Sequence, residues 1–307
     1  MTPTWLVTGA EGFLGANAGW FLGPRAHAVG ITRRPNTPAH FAAALHGDLT
    51  EPADIAAKVR NVKPAVILHA GAMASHEMCE ANPQLAKEVN ADATRELARA
   101  AHDCGAAFIY ISTDAVFDGT RGGYSEEDKP NPFSVYGATK LLGEQYALQE
   151  HPDALIIRTN FFGWSPTGSR SILEFFVNSM ASGTRVNGYT DFTVTSTYAQ
   201  SLMGAVWALT EQGATGIVHV ASSDAVSKFD FGCIVAATFG LDAGLINAEQ
   251  AEADGHRTDR RRDLSLRVAR LEELLGEPAP TQLMGILRAY EDSGTVRTSL
   301  RKSGGST

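Results

Sequence analysis

The opening stretch Thr4-Trp-Leu-Val-Thr-Gly-Ala-Glu-Gly-Phe-Leu-Gly15 restricts the fold more tightly than any other part of the chain. Residues 5–9 read as a short apolar strand, and Gly12 to Leu22 as a helix with Phe13, Leu14, Ala18 and Phe21 along its apolar side. Of the glycines between and within them, Gly9 turns the chain, Gly12 lets backbone approach a ligand, and Gly15 allows close helix packing. A helix starting on such a turn offers free N–H groups and the positive end of its dipole, a seat for a pyrophosphate. His27 to Thr32, Lys63 to His69 and Ala107 to Thr113 repeat the strand signal. Residues 51–60 look helical, and residues 83–104 carry Leu85, Val89, Ala93, Leu97 and Ala101 at helical spacing. Strands alternating with helices to about residue 160 predict an α/β fold, a Rossmann-like doubly wound parallel sheet whose sites lie off the carboxyl ends of its strands. Gly9, Arg33, Ala70, Thr113 and Asn160 all fall at such ends.

A chain of 307 residues has room for about two domains of ~150 residues. Residues 1–162 are expected to form a nucleotide-binding Rossmann domain, and 163–292 a smaller lobe, mainly for substrate, with segments returning to the sheet. Leu173 to Met180, Tyr198 to Thr210 and Lys228 to Phe239 have helical apolar spacing there. Residues 293–307 have little to bury and read as a disordered tail. Cys79, Cys104 and Cys233 are odd in number and lack paired spacing, which points away from a disulfide framework or zinc site and towards buried thiols in a reducing compartment. A formal charge of -8 argues against a nucleic-acid surface. No apolar run approaches the ~18 residues of a membrane span, and the N-terminus lacks a secretory pattern, so the cytoplasm is the expected compartment.

The second strand ends in Arg33-Arg34, where an NAD site would carry an acid for the ribose 2′-hydroxyl. Two guanidiniums there suit a 2′-phosphate, which makes NADPH the expected cofactor. NADH is the alternative if the arginines only solvate a loop. Asp48 stands where such folds often place an acid beside the adenine, and Ala70-Gly71-Ala72 are small enough for backbone to lie against the cofactor. Tyr136 and Lys140, at i and i+4, share one helix face, and an ammonium beside a phenol would favour its ionised form. A hydroxyl at Thr113, at a strand end, completes a proton-relay set for a carbonyl or carbinol carbon. His76, Glu77, Cys79 and Glu80 crowd one loop without metal-site spacing, and no metal is expected. His219, in an apolar strand, reads as structural. Arg257, Arg260, Arg261 and Arg262 form a basic run that reads first as a solvated loop.

Thr8-Gly-Ala-Glu-Gly-Phe-Leu-Gly15, Ser112-Thr-Asp-Ala-Val-Phe-Asp-Gly119, Tyr124-Ser-Glu-Glu-Asp-Lys-Pro130 and Tyr136-Gly-Ala-Thr-Lys140 resemble the extended short-chain dehydrogenase/reductases, most nearly the dTDP-4-dehydrorhamnose reductase family. The resemblance continues through Thr195-Ser-Thr-Tyr198, Gly216-Ile-Val-His-Val-Ala221 and Arg262-Asp-Leu-Ser-Leu266, in the same order, to about residue 290. It implies an oxidoreductase of a nucleotide-activated sugar, with Thr113, Tyr136 and Lys140 catalytic and Lys140 also holding the nicotinamide ribose. Cofactor contacts are then expected from Gly9, Glu11, Gly12, Phe13, Leu14, Gly15, Arg33, Arg34, Asp48, Leu49, Ala70, Gly71, Ala72, Tyr136 and Lys140. Substrate contacts are expected from Thr113, Val116, Asn160 and Arg262, the arginine clamping a diphosphate. The pattern departs at Ala115, where that family commonly has tyrosine, and this leaves the sugar open. An epimerase or dehydratase of the same superfamily is one alternative, although Asp114-Ala115 lacks the acidic pair of a dehydratase. A non-catalytic partner similar to the methionine adenosyltransferase regulatory subunit, which shares a segment like Cys79-Glu-Ala-Asn-Pro83, is another. A homodimer through the helices around 85–104 and 136–150 is left open.

Overall fold

The computed structural model describes residues 2–34, 36–250 and 262–304. Apolar runs that can be covered on both faces build its central sheet. The strands β1 (Thr4–Thr8), β2 (His27–Thr32), β3 (Ala43–His46), β4 (Val66–His69), β5 (Ala107–Ile111) and β6 (Leu155–Arg158) are joined by Gly216–His219. All seven are parallel, in the order Gly216–His219, β6, β5, β4, β1, β2, β3. The winding reverses between β1 and β4, which opens a crevice at their carboxyl ends.

Strand alternation divides the core. Trp5, Val7, Leu68, Ile109 and Ile157 face the helices α1 (Phe13–Leu22) and Ala199–Glu211, with Trp5 stacked 5.3 Å from Trp207. Leu6, Ile67, Phe108, Tyr110 and Ile156 face Pro52–Val62, Ala93–Cys104 and Val135–Glu150 on the other side. The second lobe has its own core, built around Phe162, Trp164, Phe176, Tyr198 and Phe231, between the helices Ile172–Ala181, Lys228–Phe239 and Gln282–Glu291. Asn17 in α1 ties the lobes together, donating to Trp164 O at 2.9 Å and accepting from Gln200 Nε2 at 2.8 Å.

Three features differ from the sequence reading. The edge strand β3 carries no strong strand signal, because Ala-Ala-Leu-His is half-exposed and held mainly by backbone bonds to β2. The helix expected over 83–104 contains a π-helical turn, Glu88–Asp92, between Pro83–Lys87 and Ala93–Cys104. The tail beyond Ser293 also finds something to bury: Val296–Gly304 is a helix whose Val296 and Leu300 enter the second core. Ser299 Oγ on that helix pairs with His40 Nε2 at 2.7 Å.

Candidate active site

The glycine turn is a close meeting of two strand ends. Gly9 has φ +67, and a Cβ on it would stand 2.7 Å from Gly71 Cα, while a Cβ on Gly15 would overlap the Gly9 carbonyl oxygen. Only glycine fits at either position. Gly12, at the start of α1, gives no side-chain cap, and among the described residues no side chain is shown accepting from the leading N–H groups, from Phe13 onward, beside the turn. Beneath it, Gly71 N donates to Thr8 Oγ1 at 3.0 Å, and Thr8 Oγ1 lies 2.6 Å from His69 Nδ1. Thr94 Oγ1 donates to Asn90 O, so it accepts from His69 Nε2, leaving Nδ1 to accept from Thr8. Burial, then the Lys140 charge, hold this imidazole neutral, near 3.

β5 and the helix Val135–Glu150 bring Thr113, Tyr136 and Lys140 to one place. Thr113, beyond β5, caps a 3₁₀ turn, Asp114–Val116, by accepting from Ala115 N at 3.1 Å. Ser134 caps the helix by accepting from Gly137 N, and Glu80 accepts from Val135 N at 2.9 Å. Tyr136, half-buried in the first turn, is within hydrogen-bonding reach of Thr113, with the His76 ring 4.9 Å away.

The expected ammonium–phenol contact is not what the structure shows. Lys140 Nζ turns inward, donating to Ile111 O at 2.6 Å and lying 3.9 Å over the Tyr110 ring. Burial pulls its pKa down to about 7. Burial also pushes Tyr136 well above the ordinary phenol value, with Asp114 and Cys79 adding to the rise. Tyr136 is therefore a neutral phenol at neutral pH, loaded with its proton.

Asp114, absent from the expected set, is buried next to this group. It accepts from Asn160 Nδ2 at 2.9 Å and from Thr113 Oγ1 at 3.1 Å, and burial pushes it up to about 6. Asn160 is itself fixed by Ser196 Oγ at 2.6 Å. Below lies a buried ion pair: Arg158 donates from Nη2 to Glu144 Oε2 at 2.7 Å and from Nε to Oε1 at 3.0 Å, and Ser112 Oγ donates to the same carboxylate. His219 is buried nearby. Burial, then Arg158, lower it to about 3. The π turn places Asn90 to accept from Met73 N at 2.8 Å and donate to Thr139 Oγ1 at 3.1 Å, tying the loop after β4 to the catalytic-candidate helix. Glu144 was not among the expected residues, although its place four residues beyond Lys140 is a signal that could have found it; nothing in a single sequence points to Asn90.

Other expected residues vary in how they meet the crevice. Arg33 and Arg34 are exposed beyond β2, with Arg34 Nε 3.8 Å from Glu11. Asp48 accepts from Thr50 N and Oγ1 at 3.0 Å, and those bonds and Arg33 keep its pKa low. Leu49 reaches Gly71, with its Cδ1 2.9 Å from where a Cβ would stand, and Ala70 and Ala72 flank that glycine. Val116 does not line the crevice: its side chain is wholly buried in the core. Arg262 donates to Asp118 O at 2.7 Å and lies 4.0 Å over the Phe133 ring. Arg257, Arg260 and Arg261 lie outside the described residues. Of the four residues crowding the loop 76–80, Cys79 donates to Met73 O and Glu80 accepts from Val135 N at the start of the helix Val135–Glu150. In the second lobe a groove of about 440 Å³ is lined by Phe175, Arg185, Asn187, Tyr189 and Lys228, the last close to Asp114.

The chain is similar to known proteins along most of its length. The family described as the RmlD substrate binding domain matches residues 4–293. The probable low-salt glycan biosynthesis reductase Agl14 of Haloferax volcanii is 34% identical over 93% of this chain and 98% of its own. Methionine adenosyltransferase 2 subunit beta of Xenopus tropicalis is 28% identical over 90% and 84%. Among solved structures, dTDP-4-dehydrorhamnose reductase from Bacillus anthracis in complex with NADP aligns with TM-score 0.83, 24% identity and coverage of 95% and 99%, a likeness of fold.

Proposed function

Since the chain belongs to the RmlD substrate-binding-domain family of extended short-chain dehydrogenase/reductases, we propose that it reduces a keto group on a nucleotide-activated sugar, an NDP-4-keto-6-deoxyhexose, with NADPH. The observation that carries this reading is the gathering of Thr113, a protonated Tyr136 and Lys140 at the end of β5, beside a glycine turn that leaves backbone bare for a dinucleotide to approach. The turn fits a dinucleotide: the Gly9–Gly71 approach and the uncapped start of α1 suit its pyrophosphate, Arg33 and Arg34 a 2′-phosphate, and Lys140 its ribose. The bound reduced nicotinamide supplies hydride. Tyr136 donates its proton to the carbonyl oxygen, and Thr113 holds that oxygen in place. Asn160 and Arg262 flank the sugar and its diphosphate, and the groove lined by Arg185 and Lys228 offers room for the nucleotide.

The subunit-beta relative supports a second reading, a cofactor-binding partner of another enzyme. Mixing the isolated protein with NADPH and a panel of NDP-4-keto-6-deoxyhexoses distinguishes them. Loss of the reduced-nicotinamide absorbance with at least one sugar, and no second protein, is the expected result. NADPH binding without turnover on any base or sugar, together with stoichiometric co-purification with a synthetase, would establish the partner reading instead.

A further inference from the structure

We infer that His76 is a positioning residue for Tyr136, its ring setting the plane from which the phenol delivers its proton; this rests on the reductase reading. Lys140 is turned onto Ile111 O and the Tyr110 ring, which leaves the Tyr136 ring to another neighbour. That neighbour is the exposed imidazole of His76, its centroid 4.9 Å from that of the phenol ring and its plane tilted by 53° to it. The segment carrying His76 is pinned to the tyrosine's own helix on either side. Before it, Met73 N donates to Asn90 Oδ1 at 2.8 Å, and Asn90 Nδ2 donates at 3.1 Å to Thr139 Oγ1, in the same helix turn as Tyr136. After it, Glu80 Oε1 accepts at 2.9 Å from the N–H of Val135, the residue before Tyr136. In between, Ser75 caps the helix His76–Ala81 by accepting from Met78 N at 3.2 Å, and Cys79 Sγ donates to Met73 O at 3.3 Å.

The imidazole is backed from behind as well. Phe133 lies 6.4 Å from it, within 18° of parallel, and the Arg262 guanidinium lies 4.0 Å over the Phe133 ring while donating to Asp118 O. Segments distant in sequence thus meet in one column, Arg262, Phe133, His76 and Tyr136. It runs from the arginine that would flank the diphosphate to the phenol that would give up its proton. Proton donation depends on aim: a tilt of about 10° at the root of the ring moves the phenol oxygen by ~1 Å, and a misplacement of that size costs ~10²-fold in rate. In this role His76 acts through Tyr136, by preventing that tilt.

Two measurements test this. In deuterated protein with protonated tyrosine and histidine rings, an NOE should join the Tyr136 and His76 rings, assigned by its loss in Tyr136→Phe and in His76→Ala. It needs no substrate, and its absence from the unmodified protein overturns the inference. With NADPH and dTDP-4-dehydrorhamnose, or the sugar of the panel that turns over fastest, His76→Ala should lower kcat at least ~10-fold. The KM for the sugar and the Kd for NADPH should stay within about twofold, because aim and not affinity is lost. His76→Phe, which keeps a ring and discards both nitrogens, should regain most of the lost kcat. If His76→Ala does not fold, His76→Gln, also without a ring, takes its place. An unaltered kcat, or a His76→Phe as slow as His76→Ala, overturns the positioning role, the latter because nitrogen chemistry and not the ring would then be acting. The two levels separate cleanly: no turnover of any sugar by the unmodified protein defeats the reductase reading and this inference with it, whereas turnover beside an unaltered His76→Ala defeats the inference alone.

Discussion

The two ends of the crevice are built on opposite electrostatic plans. At the end that holds the candidate catalytic residues, Thr113, Asp114 and Lys140 are buried, Tyr136 is half-buried, and Asp114, Tyr136 and Lys140 all have displaced pKa values. At the far end Arg33 and Arg34 stand in solvent. Charges in a dry site act strongly and cost much to place, whereas exposed ones are screened and adjustable. On the proposed reading the difference teaches where specificity is rigid and where it is tunable: proton chemistry would be fixed by burial, and cofactor preference would rest on two exposed side chains.

The sharpest way to break this contrast is Tyr136→Phe, which removes one oxygen at the dry end. Turnover should fall ~10²–10⁴-fold, with NADPH binding and the unfolding midpoint nearly unchanged; single-turnover assays and a urea melt report both. Next is Glu144→Gln beneath it, which leaves Arg158 buried and uncompensated. Denaturant unfolding should show a loss of ~3–5 kcal/mol; a loss below ~1 kcal/mol would mean water reaches the pair. The buried rings give the pH dependence. His69 and His219 sit near 3 when folded and about 6.5 unfolded, so between those values the unfolded chain binds more protons. Stability is full above about 6.5 and drains as pH falls towards 3, by up to ~1.4 kcal/mol per pH unit for each ring. Acid titration of the urea midpoint should show that slope, and His219→Gln should flatten it. The smallest effect belongs to the wet end. Replacing Arg33 and Arg34 by Ala should narrow the NADPH-over-NADH preference by only ~1 kcal/mol per arginine, since exposure discounts a charged hydrogen bond. Calorimetric titrations in low and high salt should show that preference shrinking with ionic strength.

The contrast also governs what the sequence could reveal. Glycines at Gly9 and Gly15 and the i, i+4 pair Tyr136 and Lys140 announce themselves because local geometry demands them, and the parallel sheet follows from apolar runs between helices. The orientation of Lys140 was not legible, since whether an ammonium points at a phenol or at the Ile111 carbonyl depends on the sheet beneath. Val116 stood in a site motif yet serves the core. Asn90 became visible only once the π turn rotated it towards Met73 and Thr139. The helix Val296–Gly304 was missed because its apolar residues are few and its docking surface is assembled from distant segments.

The spacing of these contacts along the chain sets an order of assembly. Ser112, Thr113, Asp114, Tyr136, Lys140, Glu144 and Arg158 come from one continuous window, and the ion pair at its base closes a span of only 14 residues. The bond that joins the lobes, Asn17 to Trp164, spans 147 residues, and the one that closes the second lobe, Trp164 to Ala289, spans 125. Short closures cost less chain entropy and form sooner. The window from Ser112 to Arg158 is thus a local unit, able to form before the second lobe docks, and amide exchange during refolding should protect residues 107–158 ahead of those around Trp164 and Ala289.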